Sequence, residues 1–328
     1  MHAAGCHPPV KPAEHARIQQ HPDGITAIDA EYVHPGHAAV HLIVDSGHAA
    51  FVDPGTNDSV PHLLRALEQL GIAPESVDYV FLTHVHLDHA GGAGLLMRCL
   101  PKATCVVHPR GAPHLIDPTK LVAGSIAVYG QANFDRLYGT IRPIAPERIV
   151  RTAEGARFAL GGRELEVLHT PGHALHHCAY LDRRHASIFT GDSFGISYRA
   201  FDTERGPFIT PTTTPSQFDL AQSLDSIERM LACAPRALYL MHYSRVTDVP
   251  RLGASLKEQL RAIAELAQRH AGAADRAGLI RSGMRAMWLR LLREHGCALP
   301  EARIDQLLAA DLELNTQGVI AWVDRMQR

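Results

Sequence analysis

Apolar positions along the chain follow two rhythms, and the switch between them outlines a fold. From Gly24 the pattern is short and strand-like: Gly24 to Ile28, Ala38 to Val44, and His48 to Val52, with Ser46-Gly47 as the turn between the last two. Asp53-Pro54-Gly55 ends that run. Leu63, Leu64, Leu67 and Leu70 then share one helix face, with Ser59 placed to cap its start and Gly71 just past its end. Val77 to Leu82 reads as a buried strand, Ala93 to Leu100 as helix, and Thr104 to Val107 as strand. The second half repeats the plan. Glu164 to Leu168, Cys178 to Leu181 and Ser187 to Phe189 are strand patterns; Gln217 to Leu231 is helical with Ser216 and Asp219 as caps; Ala237 to Leu240 is a last strand. Strands then helix, twice over, predict an α/β fold: two sheets face to face with helices outside, a four-layer αββα sandwich.

After Val249 the strand signals stop. Leu252, Leu256, Leu260 and Ile263 step along one helix face, and Met284, Trp288, Leu291 and Leu292 along a second. Ile304, Leu307 and Leu308 mark a third, and Val319, Ile320 and Val323 a fourth. The expected division is a loose N-terminal arm over 1–20, a sandwich domain over 21–248 and an all-helical appendage over 249–328. The appendage needs a surface to bury its stripes against, so it is expected to dock over the cleft of the sandwich. No cluster of histidine and acidic residues lies in it, so the chemistry of the sandwich is expected to survive its removal if the sandwich stays folded.

Composition narrows the class. Apolar residues make up 46% of the 328, enough for a sizeable core. A net charge of −2 gives no basic excess for nucleic acid and no polybasic cluster for a membrane surface. Six scattered cysteines with no C-x-x-C pair read as reduced thiols. The first residues lack a charged segment followed by an apolar one, and no run reaches the roughly 20 apolar residues of a membrane helix. The expectation is a soluble, cytoplasmic protein with a small-molecule substrate. Neither nucleic acid nor a membrane is expected as a partner, and a homodimer is left open.

The 22 histidines carry the chemistry. Thr83-His84-Val85-His86-Leu87-Asp88-His89-Ala90-Gly91-Gly92 packs three imidazoles and a carboxylate into six positions just past a buried strand. Such a set cannot all be satisfied as core residues, since burying the rings unpaired costs about several kcal/mol. Imidazole and carboxylate are the ligands of Zn²⁺, Fe²⁺ and Mn²⁺, whereas the bland alternative is a solvated histidine-rich loop.

The pattern H-x-H-x-D-H followed by G-G resembles that of the metallo-β-lactamase superfamily, and the resemblance extends from about Gly24 to His242. Further segments match in order: Asp53-Pro54-Gly55, Thr170-Pro171-Gly172-His173, Phe189-Thr190-Gly191-Asp192-Ser193 and Tyr239-Leu240-Met241-His242. The resemblance implies two metal ions, with zinc first and iron or manganese as alternatives. His84, His86 and His173 would hold one ion, Asp88, His89 and His242 the other, and Asp192 would bridge them. It further implies a hydroxide held between the ions that attacks a carbonyl or phosphoryl centre, with Asp88 helping to move a proton.

Other residues are weaker candidates. Asp53 shapes the floor of the site by the same resemblance, and His169 and His177 are candidates for supporting the ligands from behind. Tyr198 is a candidate to point a hydroxyl at a substrate oxygen, as a tyrosine does in related lactonases. His176 is a supporting or plainly structural residue. His34, His37, His41 and His48 share no ligand spacing and read as surface or strand positions, and Ile209 to Pro215 reads as a loop near the site. The helical C-terminus resembles that of glyoxalase-II-like and quinolone-signal-response-like members, whose appended helices cover the metal cleft. The leading functional expectation is a dinuclear-metal hydrolase of a lactone, ester or thioester. The alternatives are an iron-dependent redox member, of persulfide dioxygenase or di-iron type, and a sensing or binding protein without turnover. His86 stands where di-iron members carry a glutamate, which favours hydrolysis.

Overall fold

The computed structural model describes residues 15–213, 215 and 217–327. One sheet has seven strands in chain order: β1 (Ile18–His21), β2 (Ile25–Asp29), β3 (Ala39–Asp45), β4 (His48–Val52), β5 (Val77–Phe81), β6 (Thr104–Val107) and β7 (Ile149–Arg151). The first four pair antiparallel, and β4 to β7 run parallel. The second sheet has β8 (Arg157–Leu160), β9 (Arg163–His169), β10 (Cys178–Asp182), β11 (Ser187–Gly191), β12 (Ala237–Leu240) and β13 (Ser244–Val246). Its spatial order is β13-β12-β11-β10-β9-β8, with β11 and β12 parallel. The helices are α1 (Val60–Gln69), α2 (Leu87–Ala90), α3 (Ala93–Cys99), α4 (Ala112–Ile116), α5 (Thr119–Tyr129), α6 (Gln131–Leu137), α7 (Leu220–Ala232), α8 (Val249–Arg269), α9 (Arg276–Glu294) and α10 (Glu301–Met326).

Side-chain alternation along the strands builds the layers. On β4, Ala50 and Val52 face the other sheet, whereas Ala49 and Phe51 face α1 and α3. On β10, Cys178 and Tyr180 enter the layer between the sheets, and Ala179 and Leu181 turn to the opposite face. That opposite face meets α7, α8, α9 and α10 in a single cluster, which runs from Leu238 and Leu240 of β12 to Trp288 and Trp322. The appended helices therefore share a core with the second sheet. Removing them would strip the sheet's outer face, which the expectation of a separable appendage had not allowed for.

Several sequence expectations change. Of the loose arm, residues 1–14 lie outside the described ones. Ile18–His21 is a strand instead, because the Asp23-Gly24 turn folds it back onto β2. The third and fourth C-terminal stripes belong to one helix, α10, whose Gly318 fits where any larger side chain would meet the Thr213 carbonyl. Helix α7 starts at Leu220 rather than Gln217, because Asp219 accepts from the Gln222 amide at 2.9 Å and caps it there. The other expected cap, Ser216, falls outside the described residues. Cys105, Cys178, Cys233 and Cys297 are free thiols, but Cys99 is disulfide-bonded, so the reading of six reduced cysteines does not hold. Among the described residues, no helix is long and apolar enough to cross a membrane.

Trp288 shows how the helices are pinned. It is 0% exposed, and its indole donates to the Gln259 side-chain Oε1 at 2.9 Å. The Gln259 amide in turn donates to the Ile209 main chain at 2.8 Å, on the loop that borders the cleft. Trp288→Ala should lower stability by about 3–5 kcal/mol. Because the core is shared, thermal unfolding of the wild type should follow one cooperative transition. Two well-separated transitions in calorimetry would contradict the shared core.

Candidate metal centre

Parallel strands end on one side of the sandwich, and the chemistry-bearing side chains follow those ends. His84 and His86 lie between β5 and α2, Asp88 and His89 on α2, and His173 just past β9. Asp192 follows β11, and His242 follows β12. Two glycines let the segments approach. Gly191 has φ of +49°, and an added Cβ would stand 2.3 Å from the Thr83 hydroxyl and 2.8 Å from the His177 ring. Gly92, the second glycine of the histidine motif, would meet the Thr56 carbonyl at 2.4 Å.

Three imidazole nitrogens converge at the first cluster. His86 Nδ1 lies 2.9 Å from His84 Nε2 and 3.1 Å from His173 Nε2. The tautomer of His84 follows from its neighbours. Thr83 Oγ1 gives its proton to Asp53 Oδ2 at 2.6 Å, so it accepts from His84 Nδ1 at 3.1 Å. That leaves the Nε2 lone pair aimed at the cluster. Burial pushes all three rings below the ordinary imidazole pKa, with neighbouring imidazoles adding to the effect on His84 and His86. His86 is brought down to about 3. Three neutral rings facing one point suit a cation.

The second cluster is charged. His242 Nε2 stands 3.3 Å from Asp88 Oδ2, and His89 Nε2 stands 3.7 Å from the same oxygen. Asp192 lies between the clusters, 3.3 Å from His89 Nε2 through one oxygen and 3.5 Å from His173 Nε2 through the other. Burial opposes charge on Asp88 and Asp192, but His89 and His242 outweigh it and hold both below the usual carboxylate range. Conversely, burial disfavours protonated His89 and His242, and the facing carboxylates raise both.

Divalent cations fit this donor set on a structural observation. His89 Nε2 and Asp192 Oδ1 are buried and face each other at 3.3 Å, yet neither has a partner in hydrogen-bonding geometry. An ion between them would satisfy both atoms. The triads His84–His86–His173, His84–His89–Asp192 and Asp88–His89–His242 each bring their ligand atoms within 4.8 Å of one another.

The supporting residues are well defined in two cases. Asp53 accepts from the Thr83 amide at 2.8 Å and from His89 Nδ1 at 3.0 Å, which aims His89 Nε2 at the carboxylates. His177 accepts the Asp192 amide on Nε2 at 3.2 Å, and its Nδ1 meets Thr170 and Ser193 hydroxyls at 2.8 and 2.9 Å. His169 departs from expectation, since its ring packs on His108 at 4.4 Å rather than on a ligand histidine. Tyr198 departs as well. It is 5% exposed, and its hydroxyl donates to Asp311 at 3.1 Å, so that group is not directed at a substrate.

Sequence reasoning missed five contributors. His37, read as a surface or strand position, offers its carbonyl to His242 Nδ1 at 2.9 Å; no side-chain pattern reports a main-chain acceptor. Asp311 reaches in from α10, and burial lifts its carboxyl to about 7, against the pull of His242 and the Tyr198 hydrogen bond. Tyr32, Tyr129 and Tyr138 gather with Leu87, Phe134 and Ile126 beside the histidine motif, with the Tyr32 and Tyr138 hydroxyls 2.8 Å apart. Tyr129 ends α5 and Tyr138 follows α6, and α5 is apolar nearly all round and so shows no helical stripe.

The family model described as the metallo-beta-lactamase superfamily matches residues 33–242. The chain is 26% identical over 212 residues to the metallo-beta-lactamase fold-containing protein ST1585 of Sulfurisphaera tokodaii, covering 63% of this chain and 73% of that protein. The crystal structure of ST1585 superposes with a TM-score of 0.64 at 22% identity, over 90% of this chain and 98% of that one, a likeness of fold. A hydroxyacylglutathione hydrolase of Xanthomonas axonopodis pv. citri is 28% identical over 58% of each chain. The acyl-coenzyme A thioesterase MBLAC2 of Gallus gallus is 29% identical over 52% of this chain and 62% of its own length. The chain thus spans under two thirds of both named enzymes.

Asp53→Asn keeps the shape of that side chain but replaces one acceptor oxygen with a donor. Loss of this kind of supporting hydrogen bond typically weakens metal binding by about 10–100-fold, and that is the expected result in a chelator-competition titration. Unchanged affinity would show that His89 does not depend on Asp53.

Proposed function

This chain belongs to the metallo-β-lactamase superfamily, and from that premise we propose that it is a dinuclear-metal hydrolase of a small ester, lactone or thioester. The observation that carries the reading is Asp192, buried between two ligand triads with an oxygen turned to each. In this reading His84, His86 and His173 hold the first ion, Asp88, His89 and His242 hold the second, and Asp192 is shared. Donor sets rich in imidazole with one or two carboxylate oxygens favour Zn²⁺. When bound, two such ions would supply an activated water nucleophile at neutral pH and a Lewis acid for the carbonyl oxygen.

The protein's own groups do the rest. Asp53 and His177 fix the direction of His89 and Asp192, so the ligand atoms are set before a substrate arrives. The Asp88 side chain is 20% exposed against 8% for Asp192, so of the two carboxylates it is the more open to the cleft. It is placed to hold a proton on its way to the leaving group. Beside the site, α10, the turn at Tyr198 to Ala200 and the loop His34 to Gly36 enclose a cavity of about 230 Å³. Leu307, Tyr198, Arg199 and Arg303 line it, and we assign it to the part of the substrate remote from the scissile bond. Hydrolysis is favoured over di-iron redox chemistry because an imidazole, His86, completes the first triad in place of a carboxylate. The relative named as a thioesterase puts thioesters first among substrates to try.

The test is a panel of acyl thioesters, lactones and esters run with Zn²⁺-loaded protein, beside oxygen uptake with a persulfide on the Fe²⁺-loaded form. Turnover of one hydrolysable class is expected, without oxygen uptake. Oxygen consumption with no hydrolysis would overturn the reading. Asp192→Ala should abolish turnover and release metal from both sites, because it removes the shared ligand. Retention of full metal and near-wild-type rate by that variant would sink the shared-carboxylate role.

A further inference from the structure

A continuous line of contacts runs from the appended helix to the second triad. Asp311, on α10, accepts the Tyr198 hydroxyl at 3.1 Å. The Tyr198 ring stacks on the His37 ring, with centroids 5.3 Å apart and planes at 29°. The His37 ring then meets the His242 ring edge-on at 5.2 Å, while the His37 carbonyl accepts from His242 Nδ1 at 2.9 Å. That last hydrogen bond fixes the His242 tautomer and turns Nε2 toward Asp88, 3.3 Å away. One turn further along α10, Asn315 donates to the Asp311 main chain at 2.8 Å and accepts the Thr213 amide at 2.7 Å. The helix is thereby held in register with the loop beside the cleft.

We propose that Asp311 is a positioning residue for the second ion site, acting through Tyr198 and His37 on His242. The inference rests on the metal-centre reading above. Asp311 is part-buried with a tyrosine hydroxyl as its hydrogen-bond partner, so it gives up some hydration for little in return if its role is mere helix docking. Docking is already provided elsewhere on the helix. The apolar stripe is buried, and α10 pairs with α9 through Arg276–Asp324, Arg281–Glu313 and Arg285–Asp305. Asp311 alone among these acids meets the sandwich at a residue packed on a ligand's partner. Its role is to keep Tyr198 upright against His37, and so to keep the His37 carbonyl where His242 needs it. The C-terminal helices are thus part of the frame of the metal centre rather than only its cover.

The test is titration of metal-free protein with Zn²⁺ or Co²⁺ against a competing chelator, with His242→Ala identifying which binding constant belongs to the second site. Asp311→Ala should weaken that constant by about tenfold, the low end of the range for outer hydrogen-bond partners, and leave the first site unchanged. Tyr198→Phe should give the same shift, and the double variant no more than either alone, because both cut one line of contacts. Asp311→Asn retains an acceptor oxygen and should stay within about twofold of the wild type. Arg276→Ala, which loosens α10 at its far end, should lower the melting temperature without moving either constant. Asp311→Ala with both constants unchanged would overturn the proposal, as would an equal weakening of both sites or additive effects of the two single changes. A wild-type protein that binds no divalent ion would instead overturn the metal-centre reading, and this inference with it.

Discussion

Five imidazoles and two carboxylates crowd one largely buried cleft, and the fold around them is arranged to make that tolerable. Charge pairing within the cluster offsets part of the desolvation: the carboxylates hold His89 and His242 toward their charged forms and are held charged in return. It does not offset all of it, because His89 Nε2 and Asp192 Oδ1 face each other without a hydrogen bond. A buried donor set left partly unsatisfied, with three neutral ring nitrogens beside it, is a site completed by cations.

The sandwich meets this requirement through where its strands stop. The ligands follow β5, β9, β11 and β12, so strand register sets their spacing before any side chain rotates. Behind them stands a ring of fixed polar partners. Asp53 holds Thr83 and His89, His177 holds Asp192, and the His37 carbonyl holds His242. The helical appendage extends this ring. It shares a core with the second sheet and bears on the cleft through Tyr198 and Thr213. Stability and site geometry are therefore coupled in this fold, and damage to the helices is expected to be felt at the metals.

Much of this was legible in the chain. The strands of both halves follow from short apolar runs bounded by turn residues, and the crowding of His84, His86, Asp88 and His89 past a buried strand admits few readings other than metal ligation. The illegible parts share a physical cause: they depend on tertiary contacts that leave no local pattern. Ile18–His21 is strand only because β2 is there to pair with it, and α5 is too uniformly apolar to show a face. The third and fourth C-terminal stripes looked like separate helices but lie on one, α10, whose Gly318 packs against the Thr213 carbonyl from a distant loop. At the site, Tyr198 carried the right residue type, but its hydroxyl belongs to Asp311, more than a hundred positions away.

The central claim, that Asp192 joins two ion sites into one centre, is tested most directly by metal analysis of protein purified without chelator and then reconstituted. The account predicts about two divalent ions per chain, the stoichiometry of a shared-carboxylate site. A content that stays near one ion per chain after reconstitution with excess zinc, iron or manganese would contradict it.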